Sequence, residues 1–146
     1  MLSDDENSVK CVLFTSDDIN YLLPESQVLK TIPLEMSAVF LKRKGWVLGK
    51  MMFKGHIIPV VSLDGNFKKL LNKSHYKLMI VQDFDEKKSI VNIAILIDSN
   101  PEYLVVEKNM ISEENISDNA ISCTIKNRKY ILPQLTNIIM NALPNI

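Results

Sequence analysis

The sequence is poor in most of the residues from which active sites are built. It has two cysteines, two histidines and four glycines in 146 residues. Cys11 and Cys123 make neither a disulfide framework nor a metal-ligand spacing, and each lies in an apolar run where a free thiol behaves as a small hydrophobe. The glycines form neither G-x-G-x-x-G nor a P-loop, which excludes the common phosphate cradles, and no G-x-S-x-G elbow occurs. No run of about 18 apolar residues is present to span a bilayer as a helix. The formal net charge is +0, so the clustered cationic excess that phosphate backbones require is missing. Short basic clusters at Leu41–Gly45 (LKRKG) and Lys126–Lys129 (KNRK) read as solvated loop charge. The opening MLSDDENS is acidic and polar, the reverse of a secretory signal, and points to a cytoplasmic protein.

What is present is a chain of short apolar runs. At 47% hydrophobic residues it can bury an ordinary core, and its length fits one domain. A polar tail is expected over residues 1–9 and the domain over 10–146. The central stretch Trp46–Leu63, WVLGKMMFKGHIIPVVSL, predicts two buried antiparallel strands joined at Lys54-Gly55. That turn pairs Phe53 with His56, Met52 with Ile57, Met51 with Ile58, Leu48 with Val61 and Trp46 with Leu63. Pro59, lacking an N–H, requires an edge, a bulge or solvent on one side.

Other strands are predicted at Cys11–Thr15, Ile19–Leu23, Tyr76–Phe84, Ile90–Ile97, Glu102–Glu107, Ala120–Ile125 and Tyr130–Leu132. Ser26–Ile32 fits a short strand or one helical turn equally well. Leu34–Gly45 reads as a connection with one short helix, from the helical spacing of Met36, Val39 and Phe40. Asn109–Asn119 is polar and reads as a mobile loop. Leu135, Ile138, Ile139 and Ala142 give the chain a C-terminal amphipathic helix behind Pro133. The result is a mainly β protein of barrel type.

Few residues are candidates for chemistry. His56, beside the Lys54-Gly55 turn, reads as a strand-end histidine facing solvent rather than a base. Asp98 ends the apolar strand IAILID, where capping the following turn explains it better than catalysis. The carboxylate pairs Asp17-Asp18, Asp85-Glu86 and Glu113-Glu114 fall in turns and loops, not on the rigid elements an acid–base pair needs. Met51 and Met52 beside Phe53 suit core packing, with an adaptable binding surface as the alternative. No enzyme activity, metal or cofactor is expected.

The order of these segments resembles the CheW-like family of bacterial chemotaxis coupling proteins over roughly residues 10–143. CVLFTSDDINYLLP resembles its opening strand–turn–strand, and Gly49–Leu63 (GKMMFKGHIIPVVSL) follows its G-x-x-x-x-R-G and I-x-P-V-x-x-L segments. IAILIDSNPEYLVV is similar to a later strand pair, and NRKYILPQLTNIIMNAL to the closing strand and helix. YLLP, VLKTIPL and WVLG are similar to the type IV pilus-associated subgroup often called ChpC. The resemblance implies two interlocked five-stranded SH3-like β-barrels with a groove between them. It also implies a scaffold that contacts the regulatory domain of a CheA-type histidine kinase and the cytoplasmic tip of methyl-accepting chemoreceptors. On that basis Val28, Lys30, Phe53, Lys54 and Gly55 are the expected protein-binding positions. The sequence departs from the family pattern at three of its contact positions. Lys54 replaces the tip arginine, Lys30 falls where the family carries glutamate, and Ser62 replaces an aspartate.

Overall fold

The computed structural model describes residues 7–16, 18–34, 38–44, 47–63, 76–84, 89–117, 120–135 and 137–138. Twelve strands account for most of them: β1 Ser8–Ser16, β2 Ile19–Pro24, β3 Val28–Pro33, β4 Ala38–Lys44, β5 Val47–Phe53, β6 His56–Val61, β7 Lys77–Phe84, β8 Ile90–Ile97, β9 Glu102–Glu107, β10 Ile111–Ser117, β11 Ala120–Ile125 and β12 Arg128–Pro133. They form two six-stranded sheets, ordered β10-β11-β12-β2-β1-β9 and β3-β7-β8-β6-β5-β4. The chain starts in the first sheet, builds the whole second sheet, and returns to finish the first. Both sheets are largely antiparallel, with parallel joins only where β12 meets β2 and β6 meets β8.

Each sheet therefore has six strands where five were expected, and the two additional strands are β4 and β10. Over residues 38–44 the internal helix expected in Leu34–Gly45 is replaced by β4, which pairs Ala38 with Met51 and Phe40 with Gly49, while Met36 lies outside the described residues. Val39 and Phe40 favour extended backbone, and the far edge of β5 offers them a ladder, so tertiary pairing overrides the helical spacing. The LKRK charges consequently lie on a strand rather than in a loop. Asn109–Asn119 is likewise not a loop throughout, since Ile111–Ser117 pairs with β11. Its polar composition suits an edge strand, where charge discourages further pairing. Ser26–Ile32 divides between its two readings: Glu25–Gln27 is a 3-10 turn and Val28 begins β3. The first strand starts at Ser8 rather than Cys11. The terminal helix is described at Leu135, Asn137 and Ile138, where the Ile138 N–H donates to the Gln134 carbonyl at 3.1 Å; Ile139 and Ala142 lie outside the described residues.

Side-chain alternation sorts the interior into three clusters. Leu48, Met51, Phe53, Ile58, Val60, Leu78, Ile80, Ala94 and Leu96 fill the inside of the second sheet. Cys11, Leu22, Val106, Cys123, Ile125 and Tyr130 fill the inside of the first. Between the sheets lies a shared core of Val12, Phe14, Tyr21 and Leu23 against Val47, Val61, Met79, Val81, Ile93, Ile95 and Ile97, closed by Leu135 and Ile138. β7 and β8 send alternate residues into two cores at once, which is why IAILI reads as an unbroken apolar run. Phe14 and Tyr21, directly opposite on β1 and β2, stack at 5.4 Å with rings 15° apart.

Candidate protein-interaction site

The expected site is built on the β5–β6 hairpin. Lys54 (φ 49°) and Gly55 (φ 81°) both have positive φ, the pattern of a two-residue type I′ turn. The pairs Phe53–His56, Met52–Ile57 and Met51–Ile58 form as the turn position predicts. Further from the tip the expected register is corrected. A bulge at Leu48 pairs Val47, not Leu48, with Val61, while Trp46 lies outside the described residues. Pro59 is opposite Lys50 on one side, and parallel pairing with β8 begins only at Val60, so its missing N–H falls outside that ladder.

The hairpin is not buried on both faces as expected. Phe53 and Met51 point into the second core at 7% and 5% exposure, whereas Met52 and Ile57 on the opposite face are 60% and 54% exposed. Of the two adjacent methionines, Met51 packs in the core as expected and Met52 is exposed. The cross-strand pairing of Met52 with Ile57 is legible in the sequence; which face meets solvent depends on where the second core lies.

β3 supplies the other half of the site. Gln27 Nε2 donates to Asp83 Oδ2 at 3.2 Å and Gln82 Nε2 to the Ser26 carbonyl at 3.3 Å, pinning the turn before β3 onto β7. A bulge at Leu29 then pairs Val28 with Val81 but Lys30 with Ile80. Val81 belongs to the shared core and Ile80 to the second core, so the bulge puts Val28 and Lys30 on opposite faces. Val28 is half-buried against the shared core; Lys30 reaches the rim of the second.

There the side chain of Lys30, on the first strand of the sheet, reaches a ring carried by the fifth. Lys30 Nζ lies 5.4 Å from the centroid of the Phe53 ring, and Lys54 Nζ lies 5.3 Å from the same centroid. Of the five expected positions, Lys30, Phe53 and Lys54 form one cluster, Gly55 completes its turn, and Val28 supports it from the other face. A cation over an aromatic face gains about 0.5–1 kcal/mol at exposed sites, enough to bias two long side chains towards the ring.

Of the remaining candidates, Asp98 is tied into the framework. Asp98 Oδ1 accepts a hydrogen bond from Thr15 Oγ1 at 2.7 Å, and its N–H donates to the Thr15 carbonyl at 3.1 Å. The Thr15 N–H in turn donates to Ser99 Oγ at 2.9 Å, so the end of β8 is fastened to β1 of the other sheet. His56 is exposed opposite Phe53. Cys11 and Cys123 are buried in the first core and are not joined in a disulfide; burial, and secondarily Cys123, pushes the Cys11 thiol above its ordinary range. A cleft of about 410 Å³ opens between β9 and the β11–β12 turn, lined by Leu104, Val106, Ile125, Lys126, Arg128 and Tyr130 among others. Among the described residues no cluster of three or more His, Cys, Asp and Glu could hold a metal ion, and no helix is long and apolar enough to cross a membrane.

No family profile matches the chain, and no curated protein matches it significantly in sequence. In structure it is similar to the scaffolding protein TtCheW from Thermoanaerobacter tengcongensis, solved by crystallography. The two share a TM-score of 0.65 at 17% identity, over 87% of this chain and 84% of that one. The chain has a CheW-like fold.

Proposed function

We propose that this protein is a non-catalytic signalling adaptor that couples chemoreceptors to a histidine kinase in a chemotaxis or type IV pilus pathway. The observation that carries the reading is the Lys30–Phe53–Lys54 cluster at an exposed hairpin tip of a CheW-like fold. An adaptor needs a stiff scaffold and surfaces that can recruit partners, and two features support that reading. Two sheets share one core, and next to the lysines the tip carries Met52 and Ile57 exposed on its outer face. Lys30, Phe53, Lys54 and Gly55 form the contact surface, with Val28 fixing the strand that presents Lys30. The partners are the regulatory domain of a CheA-type kinase and the cytoplasmic tip of a methyl-accepting chemoreceptor. The segments YLLP, VLKTIPL and WVLG favour the pilus-associated, ChpC-like branch and a twitching output, in the cytoplasm.

A second reading has an observation of its own. Lys30 and Lys54 put like charges where the family pattern has glutamate and arginine, which favours a docking competitor that occupies the kinase without relaying a receptor.

Calorimetric titration against the isolated regulatory domain of the chemotaxis-type kinase from the same genome tests the adaptor reading. One-to-one micromolar binding is expected. Lys54→Glu should weaken it roughly tenfold, about 1.4 kcal/mol, at unchanged thermal stability, because a charge at an exposed turn contributes little to folding. Equal binding by wild type and variant would remove the hairpin tip from the interface. A receptor-tip peptide added to the complex separates adaptor from competitor: the adaptor binds both, the competitor only the kinase.

A further inference from the structure

Lys30 and Lys54 come from strands four places apart in the sheet, yet both ammoniums sit against one phenyl ring. Their separation cannot exceed the two ring distances laid end to end, comparable with a Debye length of about 8 Å at physiological salt. Salt therefore screens their repulsion only in part. The ring compensates through its negative face, but a quadrupole is not a counter-charge. Among the described residues no carboxylate pairs with either ammonium. The ring itself is fixed: Phe53 is 7% exposed within the second core, and the bulge at Leu29 sets the strand that carries Lys30.

We infer that Lys30 and Lys54 form a two-pronged seat for a carboxylate, an Asp or Glu side chain on an acidic segment of a partner protein. The inference rests on the adaptor reading in taking the partner to be a protein. A carboxylate that reaches both ammoniums relieves their repulsion, so such a seat gains more from a negative partner than either lysine does alone. Lysine is a compact point charge that accepts a carboxylate from many directions, which suits a surface tip better than the fixed fork of arginine. Exposed Met52 and Ile57 on the neighbouring face give the acidic segment an apolar contact. A nucleic acid or an anionic membrane fits less well. Affinity for such surfaces grows with the number of cations engaged, polybasic lipid sites use clusters of about 4–8, and the formal net charge here is +0.

The test is an NMR titration of the ¹⁵N-labelled full chain with the peptide acetyl-Leu-Glu-Leu-Glu-amide and its glutamine counterpart, acetyl-Leu-Gln-Leu-Gln-amide. The glutamyl peptide should shift the amides of Lys30, Phe53 and Lys54 saturably, and bind at least fivefold more tightly than the glutaminyl peptide. Lys30→Gln and Lys54→Gln should each weaken the glutamyl peptide about threefold, in the range of an exposed ion pair, and raised salt should do the same. Equal response to the two peptides, or no response, overturns the seat. Stronger shifts of the same amides by phosphatidylserine vesicles overturn it in favour of a lipid surface. The double variant K30Q/K54Q should be at least as thermally stable as wild type, so weaker binding by it is not a folding defect. A kinase regulatory domain that binds this variant as well as wild type leaves the adaptor reading standing and removes the seat. A domain that binds neither, while the peptides are discriminated, removes the kinase and keeps the seat.

Discussion

Phe53 belongs to two environments at once. Its ring closes one end of the second core, and its rim holds the ammoniums of Lys30 and Lys54. Gly55 makes that position possible, because the type I′ turn needs positive φ at both central residues and Lys54 already accepts the strain at φ 49°. A Cβ placed on Gly55 meets nothing within 4 Å, so only the backbone at φ +81° opposes a side chain there. Gly55→Ala should therefore lower stability by about 1 kcal/mol, read as a shifted urea midpoint with unchanged slope. A loss above about 3 kcal/mol would indicate tip packing that the open space around Gly55 does not allow. The turn, its pairs and the exposed lysine at its tip are legible in the sequence, because Gly55 and the flanking apolar runs fix them locally. That Lys30 reaches the same ring is not. It depends on the shape of a sheet and on a one-residue bulge at Leu29, and neither leaves a local pattern.

Elements were legible where both their neighbours were apolar. β7 and β8 announce themselves as Leu78–Val81 and Ile93–Ile97, because each strand is buried on two sides. β4 and β10 do not, because both are the outermost strands of their sheets and carry lysine, arginine or glutamate. Asp98 shows the same limit in a single side chain: its position after IAILID suggests a local cap, whereas it also fastens β8 to β1 through Thr15. Thr15→Val keeps the shape of the side chain and removes the hydroxyl donor to this half-buried carboxylate. It should cost roughly 1.5–3 kcal/mol, the range for a hydrogen bond to a charged group. Thr15→Ser, which keeps the donor, should recover most of that in the same denaturation experiment. If valine and serine destabilise equally, the clamp contributes through packing and not through its hydrogen bond.

At the scale of the whole molecule the decisive feature is that the two sheets, besides a core of their own each, share a third. The first sheet contributes Val12, Phe14, Tyr21 and Leu23 to a layer whose other side is Val47, Val61, Met79, Val81, Ile93, Ile95 and Ile97 of the second. Separating the sheets would expose all of these at once, so the molecule should unfold as one cooperative unit. Cys123 reports on this, since it is buried in the first sheet's own core, outside both the shared layer and the second core. Ile95→Ala, a change confined to the second sheet's side of the shared layer, should destabilise the protein by about 2–5 kcal/mol. Its effect on Cys123 labelling by a disulfide reagent, followed by peptide mapping, distinguishes one unit from two. With a single unit, labelling accelerates tenfold for each 1.4 kcal/mol lost, matching the global value from urea. Were the sheets independent lobes, Cys123 would label at its wild-type rate while the second sheet alone lost protection. The shared layer predicts against that outcome, because Ile95 packs in the same cluster as Val12, Phe14, Tyr21 and Leu23 of the first sheet.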